Sequence, residues 1–178
     1  MKLFFLLNIF FSSFLFSAND NFVSTSSGNI YGIKKNKIII YEDLPYAKPP
    51  TGSLRWKAPR KIEFSDSLIL PKDGNFCIQR TSLLGGSAQF SDDPISGSED
   101  CLYLDIYVPK KKSAEPIPVM FWIHGGGNTS GLKDLYDFSK LVKKHNVIVV
   151  TINYRLGPLG WFTHPAVQSL QDGLDRTS

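Results

Sequence analysis

Residues 119–152 read VMFWIHGGGNTSGLKDLYDFSKLVKKHNVIVVTI, and this stretch decides the fold. Val119 to Ile123 is a continuous apolar run that leads directly into His124-Gly125-Gly126-Gly127. Asp134 is a residue type that caps helices. Behind it Leu135, Phe138, Leu141, Val142 and His145 recur on one helical face, which predicts a helix from Asp134 to Lys144. Val147 to Ile152 is a second continuous apolar run. Strand, glycine loop, helix and strand in that order read as a crossover unit of an α/β sheet. Continuous rather than alternating strands imply a sheet covered on both faces, although this chain offers only one long helix as cover.

Upstream, Leu102 to Val108 alternates as a half-buried strand. Ile30 to Ile33 and Ile38 to Tyr41 flank Lys35-Asn36 and read as a hairpin. Pro45 to Pro59 is too rich in Pro and Gly for regular helix or central strand. Residues 77–101, with Gly85, Gly86, Pro94, Gly97 and many serines, read as a long surface loop.

The chain has 178 residues, 42% hydrophobic and 20% charged, which excludes a disordered tail, a collagen-like repeat and a disulfide-dense mini-protein. Its 20 basic and 16 acidic residues give a net charge of +4. The basic residues are dispersed along the chain, so a nucleic-acid partner is not expected. Residues 1–18 follow the secretory pattern: Lys2, an apolar run from Leu3 to Phe16, then Ser17 and Ala18. That run is shorter than the ~20 residues a spanning helix needs. The expectation is a signal peptide over 1–18, export to a secreted or periplasmic location, and no integral membrane segment after its removal. Two cysteines, Cys77 and Cys101, in an exported chain favour one disulfide over two free buried thiols.

Three consecutive glycines at the carboxyl end of a strand let backbone N–H groups converge without side-chain obstruction. Such a loop can hold a developing oxyanion or a phosphate. It can equally be a tight turn with no ligand. No Gly-Lys-Ser/Thr follows and no six-residue dinucleotide spacing is present, which weighs against phosphate. His124 more plausibly positions this loop than acts as a base. His145 falls on the apolar face of the predicted helix, and His164 precedes Pro165 in a loop. No metal-ligand spacing and no cofactor motif is present.

The HGGG run resembles the oxyanion loop of α/β-hydrolase esterases. Three further blocks resemble the type B carboxylesterase and cholinesterase-like family. They are Leu44-Pro45-Tyr46-Ala47 with Leu54-Arg55-Trp56, then Ser98 to Asp105, then Asn153 to Gly157 with Gly160-Trp161-Phe162. Asp105 stands where Asn is usual in that family. The resemblance implies an α/β fold, the N-terminal portion of an α/β-hydrolase: a small antiparallel N-terminal sheet leading into the central mixed sheet. Residues 19–178 would form an incomplete carboxylesterase domain that stops before the nucleophile elbow.

The implied activity is hydrolysis of small-molecule carboxylic esters by a serine through an acyl-enzyme. Gly126 and Gly127 would be oxyanion donors, supported by His124 and Gly125. Arg55 and Glu99 would form a buried structural ion pair. No Gly-x-Ser-x-Gly occurs in these residues, and Asn128 stands where such an elbow at Ser130 needs Gly. The serine, acid and histidine of the triad are therefore expected elsewhere, and this chain by itself is expected to be inactive. The cysteine loop lacks the Trp that contacts choline in cholinesterases, and Phe90 is a weaker platform, so choline esters are not the first expectation. The rival reading is a non-catalytic adhesion or binding protein of the same family. Oligomeric state is not legible.

Overall fold

A computed structural model describes residues 21–25, 28–62, 75–83, 85–89, 92–110, 113–169, 173 and 175. The expected signal peptide, Phe90 and Ser178 lie outside the described residues. The chain opens with β1 (Phe22–Thr25) and β2 (Gly28–Tyr31), an antiparallel pair forming its own small sheet. Phe22 and Tyr31 sit directly opposite each other with ring centroids 4.9 Å apart.

The main sheet has five strands: β3 (Ile33–Lys35), β4 (Ile38–Pro45), β7 (Tyr103–Pro109), β8 (Val119–Ile123) and β9 (Ile148–Ile152). Their order is β3-β4-β7-β9-β8. All pairs are antiparallel except β8 with β9, which are parallel in the register Val119↔Ile148 to Ile123↔Ile152. The crossover unit read from residues 119–152 is thus the parallel corner of a mixed sheet. The hairpin expected from Ile30 is split: Ile30 belongs to β2, and the β3–β4 turn is Asn36-Lys37. Both turn residues have positive φ, 47° and 72°, the left-handed pair that matches strand twist in a two-residue hairpin.

Strand alternation sends β4 into two cores. Ile38 and Ile40 pack with Tyr107, Val142 and Val149 on one face. Ile39, Tyr41 and Leu44 pack on the other with Ile30, Leu104, Ile106 and Val108. At the opposite edge the cover runs out, as a chain with one long helix implies. In β8, Val119, Met120, Phe121 and Ile123 are 61, 49, 58 and 61% exposed.

The helix is shorter than its periodicity predicts. α1 spans Ser139–His145 only. Residues 132–138 run in turns instead, because Leu132 and Lys133 are fully buried and Lys133 is drawn to carboxylates from β4 and β7. The Asp137 carboxylate, not Asp134, accepts from the first helical N–H, that of Ser139, at 2.8 Å. Asn146 ends the helix at φ 53°, and Lys143, Lys144 and His145 in the last turn complement its dipole. His145 is exposed rather than on the apolar face. Two short helices follow, α2 (Gly157–Trp161) and α3 (Pro165–Gln168).

The 77–101 segment is more built than a surface loop. It carries β5 (Gln79–Arg80) paired with β6 (Ile95–Ser96), and Gly85, Gly86 and Ser87 are buried. Gly97, at φ +94°, lies where a Cβ would come within 2.7 Å of the Phe76 and Cys77 carbonyl oxygens, so the chain crosses itself there only without a side chain.

Candidate active site

β8 delivers His124 to Gly127 at its carboxyl end, beside the loop that follows parallel β9. Gly126 (φ +114°) and Gly127 (φ +61°) are exposed and left-handed. The Gly126 carbonyl accepts from the N–H groups of Thr129 and Ser130 at 3.1 and 3.2 Å, which folds the loop back on itself. Among the described residues the N–H groups of Gly126 and Gly127 engage no backbone acceptor. A Cβ on Gly126 would stand 1.9 Å from the Ser130 carbonyl oxygen, whereas Gly125 and Gly127 face open space.

His124 is 2% exposed. Its Nδ1 lies 2.9 Å from the Gly125 carbonyl oxygen, and its ring stacks on Tyr154 at 4.3 Å and 18°. The Tyr154 hydroxyl donates to the His124 carbonyl at 2.7 Å. Burial, which disfavours the charged ring, pushes the imidazole pKa down against the opposing pull of the Gly125 carbonyl. His124 therefore pins the loop through packing. The contact requires Gly131: a Cβ there would fall 2.2 Å from the His124 Nδ1.

Gln79 was not singled out by sequence. It is buried, and its side-chain amide forms a double hydrogen bond with the Gly131 backbone, accepting from N–H at 2.8 Å and donating to C=O at 2.9 Å. The cysteine segment thus clamps the end of the glycine loop. The one available signal was period-two alternation from Cys77, which turns Gln79 inward with it. The Gly157 N–H adds a third tie, donating to the Asn128 carbonyl at 2.7 Å.

Cys77 and Cys101 are joined in a disulfide, with Cα atoms 4.9 Å apart. Arg55 reaches Glu99 with two donors, Nε at 2.6 Å and Nη2 to the second oxygen. The side chains are 41 and 23% exposed, so this pair is not the buried one expected from its neighbouring strands. Loops, not strands, carry both residues, and water reaches the guanidinium. His164 caps α3, its Nδ1 accepting from the Ala166 N–H at 3.2 Å.

A second polar centre escaped the sequence reading. The Lys133 ammonium, 2% exposed, meets Asp43 at 2.8 Å, Asp105 at 2.9 Å and Asp134 at 2.8 Å. A β-bulge between Tyr41 and Leu44 inserts one extra residue opposite β7 and holds Asp43 at φ 56°. The Asp43 N–H then donates to Asp105 at 2.8 Å. Asp105 is the most deeply buried of the three carboxylates. Desolvation first, opposed by the attraction of Lys133 and aided by the charge of Asp134, pushes Asp105 up to about 7. Those same carboxylates hold Lys133 protonated, its pKa raised despite burial. Asp105 is thus matched by a lysine.

An open cleft of about 540 Å³ adjoins the glycine loop. Thr129 and Ser130 form one wall, Gln79 and Arg80 another, and Gly157 to Leu159 a third.

Residues 19–172 match the model of the carboxylesterase family. The chain is 43% identical over 142 residues to the para-nitrobenzyl esterase of Bacillus subtilis, covering 78% of this chain and 28% of that protein. It is 39% identical over 135 residues to a juvenile hormone esterase of Tribolium castaneum, covering 75% and 22%. Among solved structures, a thermophilic PNB esterase aligns with TM-score 0.74 and 36% identity over 88% of this chain and 33% of that one. The chain belongs to the carboxylesterase family and has the mixed α/β architecture of its α/β-hydrolase fold. It spans between 22 and 33% of the length of these relatives.

Proposed function

We propose that the whole protein hydrolyses small-molecule carboxylic esters through a serine nucleophile and an acyl-enzyme. Gly126 and Gly127 supply two oxyanion donors. One observation carries the reading: two adjacent left-handed glycines at the carboxyl end of β8 whose N–H groups engage no described backbone acceptor. They stand in a loop fixed from three sides by His124, Gln79 and Gly157. Preorganised donors of this kind stabilise the tetrahedral intermediate without reorganising at the moment of reaction. Arg55 with Glu99, and the disulfide, act as scaffold for the cysteine segment. The disulfide and the 1–18 pattern support export to an oxidising compartment.

The test is turnover of a p-nitrophenyl ester by the whole protein, with a fluorophosphonate probe reporting an active serine. Gly126→Ala forces the loop off the Ser130 carbonyl and should lower kcat by about 10²–10³-fold, the size of a lost oxyanion donor. Gly127→Ala meets no atom and strains only φ, so its loss should be smaller. Absence of both turnover and labelling in the wild-type protein would favour the adhesion reading. Full activity in Gly126→Ala would remove the glycine pair from the mechanism.

A further inference from the structure

We infer that Arg80 makes the cleft beside the glycine loop a site for esters that carry a carboxylate, and so sets substrate charge preference. This rests on the esterase reading above. β5 is two residues long, and its alternation fixes the side chains oppositely: Gln79 is buried against Gly131, and Arg80 is exposed on the cleft wall. The oxyanion loop and Arg80 are therefore coupled through one rigid dipeptide.

Arg80 is the one charged residue among those described that line the cleft. The other walls are apolar or neutral: Ile95, Leu156, Pro158 and Leu159, with Thr129 and Ser130. Arg80 makes no ion pair with a described carboxylate, although Asp92 and Asp93 stand just before its partner strand β6. Elsewhere arginines are engaged: Arg55 with Glu99, Arg60 with Asp175, and Arg155 with the Lys57 carbonyl. A planar, permanently charged donor on a largely apolar wall selects an anion with two oxygens in one plane. Thr129 and Ser130, one residue beyond the oxyanion glycines, share the cleft with Arg80. The Ser130 N–H donates to the Gly126 carbonyl at 3.2 Å, so the cleft that Arg80 lines borders the glycine pair, and an ester whose carbonyl lies at Gly126 and Gly127 can extend a short chain into it toward Arg80.

The experiment compares mono-p-nitrophenyl glutarate with p-nitrophenyl valerate, near-equal in length and differing in the terminal carboxylate, using the whole protein. The wild type should favour the glutarate by about fivefold to tenfold in kcat/KM, mostly through KM, as for one partly exposed charge-assisted contact. Raising ionic strength should compress that ratio. Arg80→Gln should bring it to about one, Arg80→Lys should keep part of it, and Arg80→Glu should invert it. Because the salt series needs no variant, misfolding of Arg80→Gln leaves the inference testable. Turnover of the valerate without glutarate preference, or a preference that Arg80→Gln or high salt leaves intact, overturns the role of Arg80 alone. No turnover of either ester overturns the esterase reading beneath it.

Discussion

Lys133 shows how one side chain redirects its surroundings. Its ammonium reaches Asp43 within a β-bulge and Asp105 on the strand facing that bulge, and Asn153 Oδ1 accepts from its backbone N–H at 2.7 Å. Lys133→Met leaves three carboxylates without a cation and should cost about 3–5 kcal/mol. Adding Asp105→Asn should return part of that loss, because the amide can accept from Asp43 without a charge. Asp105 also predicts a pH dependence. Its folded pKa is raised to about 7, so the group favours folding fully below the unfolded value of ~3.9. That contribution disappears as pH rises through about 7, a decline on the order of a few kcal/mol. The groups facing it are Lys133, Asp134 and the Asp43 backbone. Thermal melts of the whole protein between pH 4 and 8 should show this slope, and Asp105→Asn should flatten it. An unchanged slope in the variant would assign the pH dependence to other groups.

At the scale of elements, the glycine loop is held by the cysteine segment. The disulfide closes a sequence separation of 24 residues, and in the chain-entropy model a loop of this size contributes about 3.5 kcal/mol. Reduction should lower the melting temperature of the whole protein. It should lower kcat as well, since Gln79 lies two residues from Cys77 and clamps Gly131. A fall in stability with kcat untouched would show that the clamp does not depend on the bridge. Gly131→Ala tests the other end. A Cβ at φ +123° and 2.2 Å from His124 demands that one of the two move, so activity should drop by 10-fold or more even where the protein folds. The Arg55–Glu99 pair, being half in water, should show weak coupling in a double-mutant cycle, with near-additive losses.

For the molecule as a whole, the edge strand β8 is decisive. Its apolar side chains are exposed on both faces while β4, three strands away, is buried on both. Expressed alone, the 178-residue chain should therefore bind a hydrophobic dye and associate through β8. It should also turn over no ester, since it contains no Gly-x-Ser-x-Gly. Size-exclusion chromatography with dye fluorescence and a p-nitrophenyl assay read both outcomes. A cooperative, dye-silent monomer would contradict the first, and saturable turnover the second.

Local pattern by itself determined three strands, read at 102–108, 119–123 and 147–152 and found at 103–109, 119–123 and 148–152, with the crossover between the last two and the family, because apolar runs and the HGGG block are contiguous in the chain. Tertiary structure decided what depends on groups distant in sequence. The helix begins at Ser139 rather than Asp134 because burying Lys133 against carboxylates 28 and 90 residues upstream outweighs one more helical turn. Gln79 became part of the loop's support, and Arg80 part of a cleft wall, only when the disulfide segment folded back onto Gly131. Periodicity registers a residue's neighbours along the chain; desolvation and hydrogen bonding act between neighbours in space, and there the bulge at Asp43 and the close approach at Gly131 were settled.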